Sequence, residues 1–291
     1  MSDTLKGIVW MLGTIVSFSL MAVAGRELTG ILDTFEIMMY RSIVGIIAMV
    51  AVITVMKKWP EVRTHNIGTH FLRNFTHFTG QNLWFFAVTA IPLAQVFALE
   101  FTTPLWVLLL SPLLLGERLT LVRLGCALLG FFGILLVTRP DTMTELNLGV
   151  ATAASCAIFF ALTIIMTKRL TRTDTVACIL FYLTTIQLIF GVITAGWDGD
   201  IAVPSGVPLI WAVVIGFAGL MAHFCYTNAL RLAPASVVTP MDFARLPTIA
   251  VVAYLAYAEV IDPMVFVGGL LIFAGNYLNI WTEMRRKPTA G

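Results

Sequence analysis

Four charged residues lie inside segments that are otherwise apolar: Arg41, Glu100, Asp242 and Arg245. A charge near the centre of a bilayer costs on the order of 2.5–3.5 kcal/mol on insertion scales, so residues of this kind are candidates for function. The arginines can bind an anionic group of a substrate, and the acids can carry a proton. The same residues can also form ion pairs that hold helices together, and the two roles are compatible because a pair can open.

Polar and aromatic residues add a second set of candidates in the predicted third and eighth helices. Gln81 and Trp84 are one helical turn apart, and so are His223 and Tyr226. A wall of this kind can stack on a planar or hydrophobic ligand while its polar groups orient that ligand. Packing is the alternative role, and a lone histidine such as His223 is often a hydrogen-bonded structural residue. Arg73 lies near the start of the third helix, from which we expect its long side chain to reach the interface.

The composition requires that these residues are carried by membrane helices. Hydrophobic residues make up 59% of the chain and charged residues 12%, whereas a soluble domain has roughly 25% charged residues. No basic stripe is present, so we expect no nucleic-acid partner and a lipid bilayer as the surroundings. The four cysteines lie in apolar segments without CxxC spacing, so we predict no metal site, no disulfide and no cofactor.

Ten segments are long and apolar enough to approach the roughly 20 residues that cross a bilayer. The first resembles a signal peptide, but its apolar run is longer than usual, and we expect it to be retained as a helix. We therefore predict an all-α membrane protein with ten transmembrane helices. The predicted spans are residues 6–25, 35–56, 70–90, 94–115, 121–138, 149–167, 175–196, 208–230, 236–257 and 264–282.

The placement of Lys and Arg in the loops predicts the orientation. If the N-terminus is cytoplasmic, the loops and ends on that side contain thirteen of these residues, and the other side contains Arg26 and Arg139. Positive residues collect on the cytoplasmic side, so we predict that both termini are cytoplasmic. Arg41 and Glu100 would then lie at a similar depth, about 9 Å below the outer face. We expect these two to pair, with Asp242 and Arg245 forming a second pair across the midplane.

A shift of 142 residues lays the chain over itself and matches residues that are rare in lipid. Each half holds five predicted helices, and an odd number inserts the second half upside down, which is typical of secondary transporters. We therefore predict two inverted repeats, residues 1–142 and 143–291. Arg41 is matched by Leu183, and Arg245 by Thr103, so the arginines break the repeat. The polar matches are Gln81 with His223, Trp84 with Tyr226, Glu100 with Asp242, and Glu117 with Glu259.

Prolines fall in the same predicted helices as the acids: Pro104 in the fourth, and Pro240 and Pro247 in the ninth. A proline frees a backbone carbonyl, which the membrane tolerates only where protein or water can satisfy it. Interrupted helices at matching places in two halves indicate a binding site. Simple kinking is the alternative for each proline taken singly.

The run from Pro104 to Thr120 and the segment from Gly125 to Ile134 resemble the EamA-type transporters of the drug/metabolite transporter superfamily. The second half departs from the pattern, since Ala258 replaces the glycine before Glu259. The resemblance implies a central cavity lined mainly by the first, third, fourth, sixth, eighth and ninth helices, alternating access, and a bacterial inner-membrane location. Members of the family carry amino acids, S-adenosylmethionine, riboflavin, nucleotide sugars and drugs.

The sequence therefore predicts a secondary active transporter of a small organic metabolite, with a co-transported proton as a further option. The predicted substrate-binding residues are Arg41, Gln81, Trp84, Glu100, His223, Tyr226, Asp242 and Arg245. A drug or toxic-metabolite exporter is the alternative, followed by a channel or a structural membrane subunit. An enzyme is not expected, because the sequence contains no HExxH motif and its histidines are scattered. Import or export, the cargo and the oligomeric state are left open.

Overall fold

The structure is a computed structural model of the chain, and its description covers most of the 291 residues. Helices dominate it, and none of the residues that it describes belongs to a β-strand. The prediction of an all-α protein is confirmed. The described residues are 3–28, 30–63, 65–91, 96, 99–138, 148–197, 199–257 and 263–285.

Each predicted span overlaps helical structure within the described residues. In the first half the helices are α1 (Asp3–Leu28), α2 (Thr34–Val55), α3 (Ile67–Ala90), α4 (Thr103–Leu115) and α5 (Leu121–Thr138). In the second half they are α6 (Leu148–Leu170), α7 (Val176–Ala195), α8 (Val207–Leu232), α9 (Ala235–Val238), α10 (Arg245–Tyr257) and α11 (Pro263–Arg285). Five of them, namely α1, α2, α6, α7 and α8, are long and apolar enough to cross a membrane by length and composition.

The described surface is apolar and the interior is partly polar, the reverse of a soluble protein. Leu121, Val55 and Leu113 are more than 80% exposed. In contrast, Arg73 and Asn74 of α3 are at most 2% exposed. This distribution is stable when lipid covers the outside, because apolar side chains then need no protein partner and polar ones must find theirs within the bundle.

Helices of the first half pack mainly against helices of the second half. The principal contacts are α1 with α8, α3 with α6, α2 with α7, and α5 with α11. Glycines allow the closest approach between α5 and α11: a Cβ atom on Gly133 would lie 2.5 Å from the carbonyl oxygen of Gly268. Small residues are typical of such close crossings in membranes, where packing rather than water exclusion drives helices together.

The first helix interruption precedes α4. A turn at Phe101 and Thr102 separates α4 from the helical residues Leu99 and Glu100. Pro104 has no N–H to donate to the carbonyl of Glu100, four residues earlier. The hydroxyl of Thr103 donates to that carbonyl instead, at 2.6 Å. The Glu100 carbonyl is therefore satisfied at the break, which positions the Glu100 side chain at a helix end inside the bundle.

The second interruption lies between α9 and α10, where Thr239–Ala244 form a 3₁₀ helix that includes Asp242. Pro240 frees the carbonyl of Ser236, and the side-chain amide of Asn279 lies 3.5 Å from that oxygen. The predicted interruptions at Pro104 and Pro240 are confirmed. The prediction for Pro247 is wrong, because it is the third residue of α10 and the helix continues through it to Tyr257.

Candidate functional site

Glu100, Asp242 and Arg245 form a buried group that we call the acid cluster. The Arg245 guanidinium lies 2.7 Å from a carboxylate oxygen of Glu100 and 3.3 Å from one of Asp242. The side chains are 11–20% exposed. The expectation of two separate acid–arginine pairs across the midplane is wrong, because the two helix interruptions bring both acids to the same arginine.

Aromatic side chains surround the acid cluster. The Trp84 indole N–H donates to the second carboxylate oxygen of Glu100, at 2.7 Å. The Arg245 guanidinium carbon lies 5.5 Å from the ring centroid of Phe18 and 5.0 Å from that of Phe101, within the range of cation–π attraction. Among the described residues, Oδ1 of Asp242 and Nε of Arg245 have no hydrogen-bond partner. The cluster therefore retains one acceptor and one donor for a ligand.

Arg41 does not pair with Glu100. Its guanidinium donates to the Gln81 side-chain oxygen at 3.1 Å and lies 3.9 Å from the sulfur of Met21. The expected pair is absent because Glu100 turns toward α10, where Arg245 is available, whereas Arg41 of α2 faces α3 and α8. Arg41 and His223 line a small pocket with room for about one water molecule.

Arg73 is a site candidate that sequence reasoning missed. Instead of reaching the interface it is buried, and its guanidinium donates to Thr167 at 3.1 Å and to Asn74 at 2.9 Å. A third nitrogen lies 3.5 Å from Nδ1 of His223. The spacing along α3 could have identified it. Successive intervals of four, four and three residues place Arg73, His77, Gln81 and Trp84 on one helix face.

We call Arg41, Arg73, His77 and His223 the arginine cluster. The rings of His77 and His223 are perpendicular, with centroids 4.9 Å apart. Phe18 connects this cluster to the acid cluster, since its ring contacts His223 edge-on at 5.7 Å as well as Arg245. The structure therefore places seven of the eight predicted residues in or beside two neighbouring clusters: Arg41, Gln81 and His223, and Trp84, Glu100, Asp242 and Arg245.

Tyr226, the eighth predicted residue, is buried on α8. It packs in an apolar cluster with Met11, Val107 and Met241. Met241 directly precedes Asp242 in the chain. Tyr226 is therefore at the border between the acid cluster and the apolar core.

Glu117 makes a contact between the halves that the sequence did not predict. Its carboxylate accepts hydrogen bonds from the backbone N–H of Ala235, at 2.9 Å, and from the N–H and hydroxyl of Ser236. It thus caps the N-terminus of α9, where a negative charge is favourable. Its repeat partner Glu259, and the predicted repeat boundary between residues 142 and 143, lie outside the described residues.

One cysteine lies near other potential metal ligands, although no metal site was predicted. Donor atoms of His70, Asp174 and Cys178 lie within 4.8 Å of one another. His70 Nε2 is 3.5 Å from the Asp174 carboxylate, which also accepts from the Asn66 amide at 3.0 Å. These contacts join the loop before α3 to the loop before α7, and they account for the close approach without an ion.

Fold and site together define a class: a multi-pass membrane protein whose polar interior is organised around charges on interrupted helices. The comparison with known families agrees. The sequence pattern of the EamA-like transporter family matches residues 5–139 and again residues 147–281. The chain belongs to the EamA-like transporter family, and the prediction of a membrane transporter is confirmed.

Characterised relatives cover nearly the whole chain. A protein named S-adenosylmethionine uptake transporter from Rickettsia felis is 25% identical over 98% of this chain and 97% of its own length. A riboflavin transporter from Vibrio cholerae is 27% identical over 97% of this chain and 96% of its own length. A protein of known crystal structure shares the fold with a TM-score of 0.83, at 18% identity, over 97% of this chain and 98% of that one.

Proposed function

We propose that this protein is a secondary active transporter that moves a small organic metabolite across the membrane by alternating access. The observation that carries the proposal is the acid cluster, in which two interrupted helices bring three charges together inside an apolar shell. Such an arrangement is expensive in a membrane and is typical of substrate and ion pathways. The family membership supports transport as its purpose, and no enzymatic activity is proposed.

The proposed topology is ten transmembrane helices in two inverted repeats, residues 1–142 and 143–291, with both termini cytoplasmic. Two observations support it. The family pattern matches once in each half. The helix contacts also follow the repeat. The shift of 142 residues relates α1 to α6 and α3 to α8, and the extensive contact of α1 with α8 has its counterpart in the extensive contact of α6 with α3. Single cysteines in the 57–58 and 199–203 loops should react with an impermeant thiol reagent from opposite sides.

In the proposed site, substrate binds between the two clusters. Arg245 holds both acids in the closed state, and a substrate donor group or a proton replaces it at one carboxylate when the bundle opens. Gln81 and Trp84 then orient the ligand, because they lie on one face of α3 and contact Arg41 and Glu100 respectively. His223 and Tyr226 supply the facing wall on α8. Proton coupling is part of this proposal, since Glu100 and Asp242 can each take up a proton when Arg245 leaves.

S-adenosylmethionine and riboflavin are the first solutes to test, because relatives are named for them. Purified protein in proteoliposomes loaded with unlabelled solute should accumulate the labelled solute by counterflow, and accumulation should saturate. Counterflow requires a carrier, so its absence for every solute in a panel of vitamins, nucleosides and amino acids would refute the proposal. An imposed pH gradient tests coupling, and unchanged uptake would exclude the proton.

Variants test the site itself. Glu100→Gln, Asp242→Asn and Arg245→Ala should each reduce transport at least tenfold, because each removes a charge of the acid cluster. Leu113→Ala is the matched control, since Leu113 is 81% exposed on the apolar surface. Wild-type rates in all three site variants would show that the acid cluster is structural.

Export of a metabolite or drug is the second candidate. A pseudopaline exporter from Pseudomonas aeruginosa is 25% identical over 93% of this chain and 94% of its own length. Uptake into right-side-out and inside-out vesicles separates the two directions. Import predicts concentrative uptake in right-side-out vesicles only, and export predicts the reverse.

A further inference from the structure

The buried arginines of this protein differ in how their charge is balanced. Arg245 has two carboxylates within 3.3 Å. Within the described residues, neither Arg41 nor Arg73 forms an ion pair with a carboxylate. Their partners are the neutral groups of Gln81, Thr167 and Asn74. Both arginines lie next to His223, since Arg41 and His223 line the same pocket and Arg73 lies 3.5 Å from Nδ1 of His223.

Two uncompensated guanidinium groups inside a membrane protein require an explanation. Removing a charge from water costs several kcal/mol even after relaxation, and neutral acceptors recover only part of that. Buried charges are therefore normally paired. An anion that enters the cluster during the transport cycle would supply the missing charge, and the guanidinium fork suits a carboxylate or a phosphate.

Unused hydrogen-bonding groups lie in the same place. Both ring nitrogens of His77, Nε2 of His223 and Oε1 of Gln187 are buried without a partner among the described residues. His77 is 6% and His223 7% exposed. Orphaned buried groups of this kind are rare in folded proteins and indicate a missing water or ligand. Here they surround the two arginines.

The arginine cluster also departs from the repeat, and one of its departures makes room for the Arg41 side chain. A shift of 142 residues matches Arg73 with Ile215 and His77 with Gly219, so the second half has no equivalent cations. Gly219 lets the Arg41 side chain pass: a Cβ there would lie 3.1 Å from Cδ of Arg41. Gly219 and His223 line the pocket beside Arg41, which admits about one water molecule in this conformation. A larger group enters only when the helices move apart.

We propose that the arginine cluster is an anion-binding subsite that takes an oxyanion, a carboxylate or a phosphate, of the transported solute. The inference rests on the proposed function and names the substrate class. Gln81 contacts this subsite and Trp84 contacts the acid cluster, and the two residues are separated by about 4.5 Å along α3. A small solute that carries an oxyanion and a cationic or hydrogen-bond-donating group a few ångströms apart fits both clusters.

Ligand-induced thermal stabilisation tests the subsite without requiring transport, because a ligand that binds the native state raises the Tm. S-adenosylmethionine is compared with decarboxylated S-adenosylmethionine, which lacks only the carboxylate, and flavin mononucleotide with riboflavin, which lacks the phosphate. Benzoate and benzamide form a third pair. At least one compound that carries the oxyanion should raise the Tm above its partner without the oxyanion, and the pair in which this occurs tells carboxylate from phosphate. Equal shifts in all three pairs, or no shift at all, would overturn the proposal.

Variants assign the effect to the cluster. Arg73→Gln should remove the oxyanion-dependent shift and raise KM at least tenfold for any solute found to be transported. Its ligand-free Tm should equal or exceed that of the wild type, because an unpaired charge has been removed. Arg73→Lys keeps the positive charge but loses the two-pronged guanidinium group, and it should retain part of the oxyanion-dependent rise in Tm. Arg63→Gln, in an exposed loop, is the control and should leave that rise unchanged.

The outcomes separate this inference from the proposed function. Oxyanion binding that depends on Arg73, in a protein that shows no counterflow, would support the subsite and refute the transporter proposal. Transport of a neutral solute at wild-type KM by Arg73→Gln would support the transporter and refute the subsite. A large loss of ligand-free Tm in Arg73→Gln would show a structural role and would also overturn the inference.

Discussion

Removing Arg245 should destabilise the protein far more than removing either of its acid partners. The acid cluster contains two carboxylates and one guanidinium, at 2.7 and 3.3 Å. Arg245→Gln leaves two buried carboxylates facing each other without a cation. Breaking a buried pair costs about 3–5 kcal/mol because a charge is left uncompensated. At about 2–4 °C per kcal/mol, the value for a chain of somewhat smaller size, the Tm should fall by roughly 6–20 °C.

Glu100→Gln has the opposite charge balance, since it leaves Arg245 paired with Asp242 and makes the cluster neutral. Glutamine can also accept the indole N–H of Trp84, which now donates to Glu100. We therefore expect the Tm of Glu100→Gln to stay within about 2 °C of the wild type, a shift of 1 kcal/mol or less. Transport should nevertheless be lost.

The assay is thermal unfolding in detergent, monitored by tryptophan fluorescence. It is carried out on the wild type, on the two single variants and on the double variant Glu100→Gln/Arg245→Gln. The double variant should be more stable than Arg245→Gln alone, because it buries one carboxylate fewer. A cycle of this kind isolates the coupling between the two side chains. The reasoning is wrong if Arg245→Gln unfolds at the wild-type Tm, or if the double variant is the least stable of the set.

Two further predictions concern the packing between the halves. Gly133→Ala should reduce stability by about 1–3 kcal/mol, the usual effect of overpacking, because its Cβ would lie 2.5 Å from a backbone oxygen of α11. Gly125→Ala, with no atom within 4 Å of the added Cβ, is the control in the same thermal assay and should be neutral or stabilise the helix by up to about 1 kcal/mol; an equal change of stability in both variants would show that the close approach at Gly133 has no effect. Glu117→Ala should lower stability by about 1 kcal/mol through the loss of the α9 cap, and Glu61→Ala, which loses only an ion pair with Lys58 in a partly exposed turn, should lower it by at most about 0.5 kcal/mol; an unchanged Tm in Glu117→Ala would mean that water replaces the cap.

The sequence by itself predicted the features that depend on composition and local spacing. Apolar runs predicted where the helices lie, because a segment that crosses lipid must be apolar along its whole length. The sequence also identified Glu100, Asp242 and Arg245 as candidates for function, because a charged residue within an apolar run is costly in lipid. Pro104 and Pro240 indicated the interruptions, because the missing N–H is a property of the residue type.

Only the tertiary structure decided which of these residues meet. Depth along a helix can be calculated from the residue number, but the lateral position of one helix against another cannot, so Glu100 was assigned to Arg41 when it binds Arg245. Arg73 was placed at the interface for the same reason: its distance from the helix end permits snorkelling, and its actual burial depends on Thr167 and His223 of other helices. The sequence alone therefore shows which charged groups lie in the membrane segments. Which of them pair is determined by how the two halves pack.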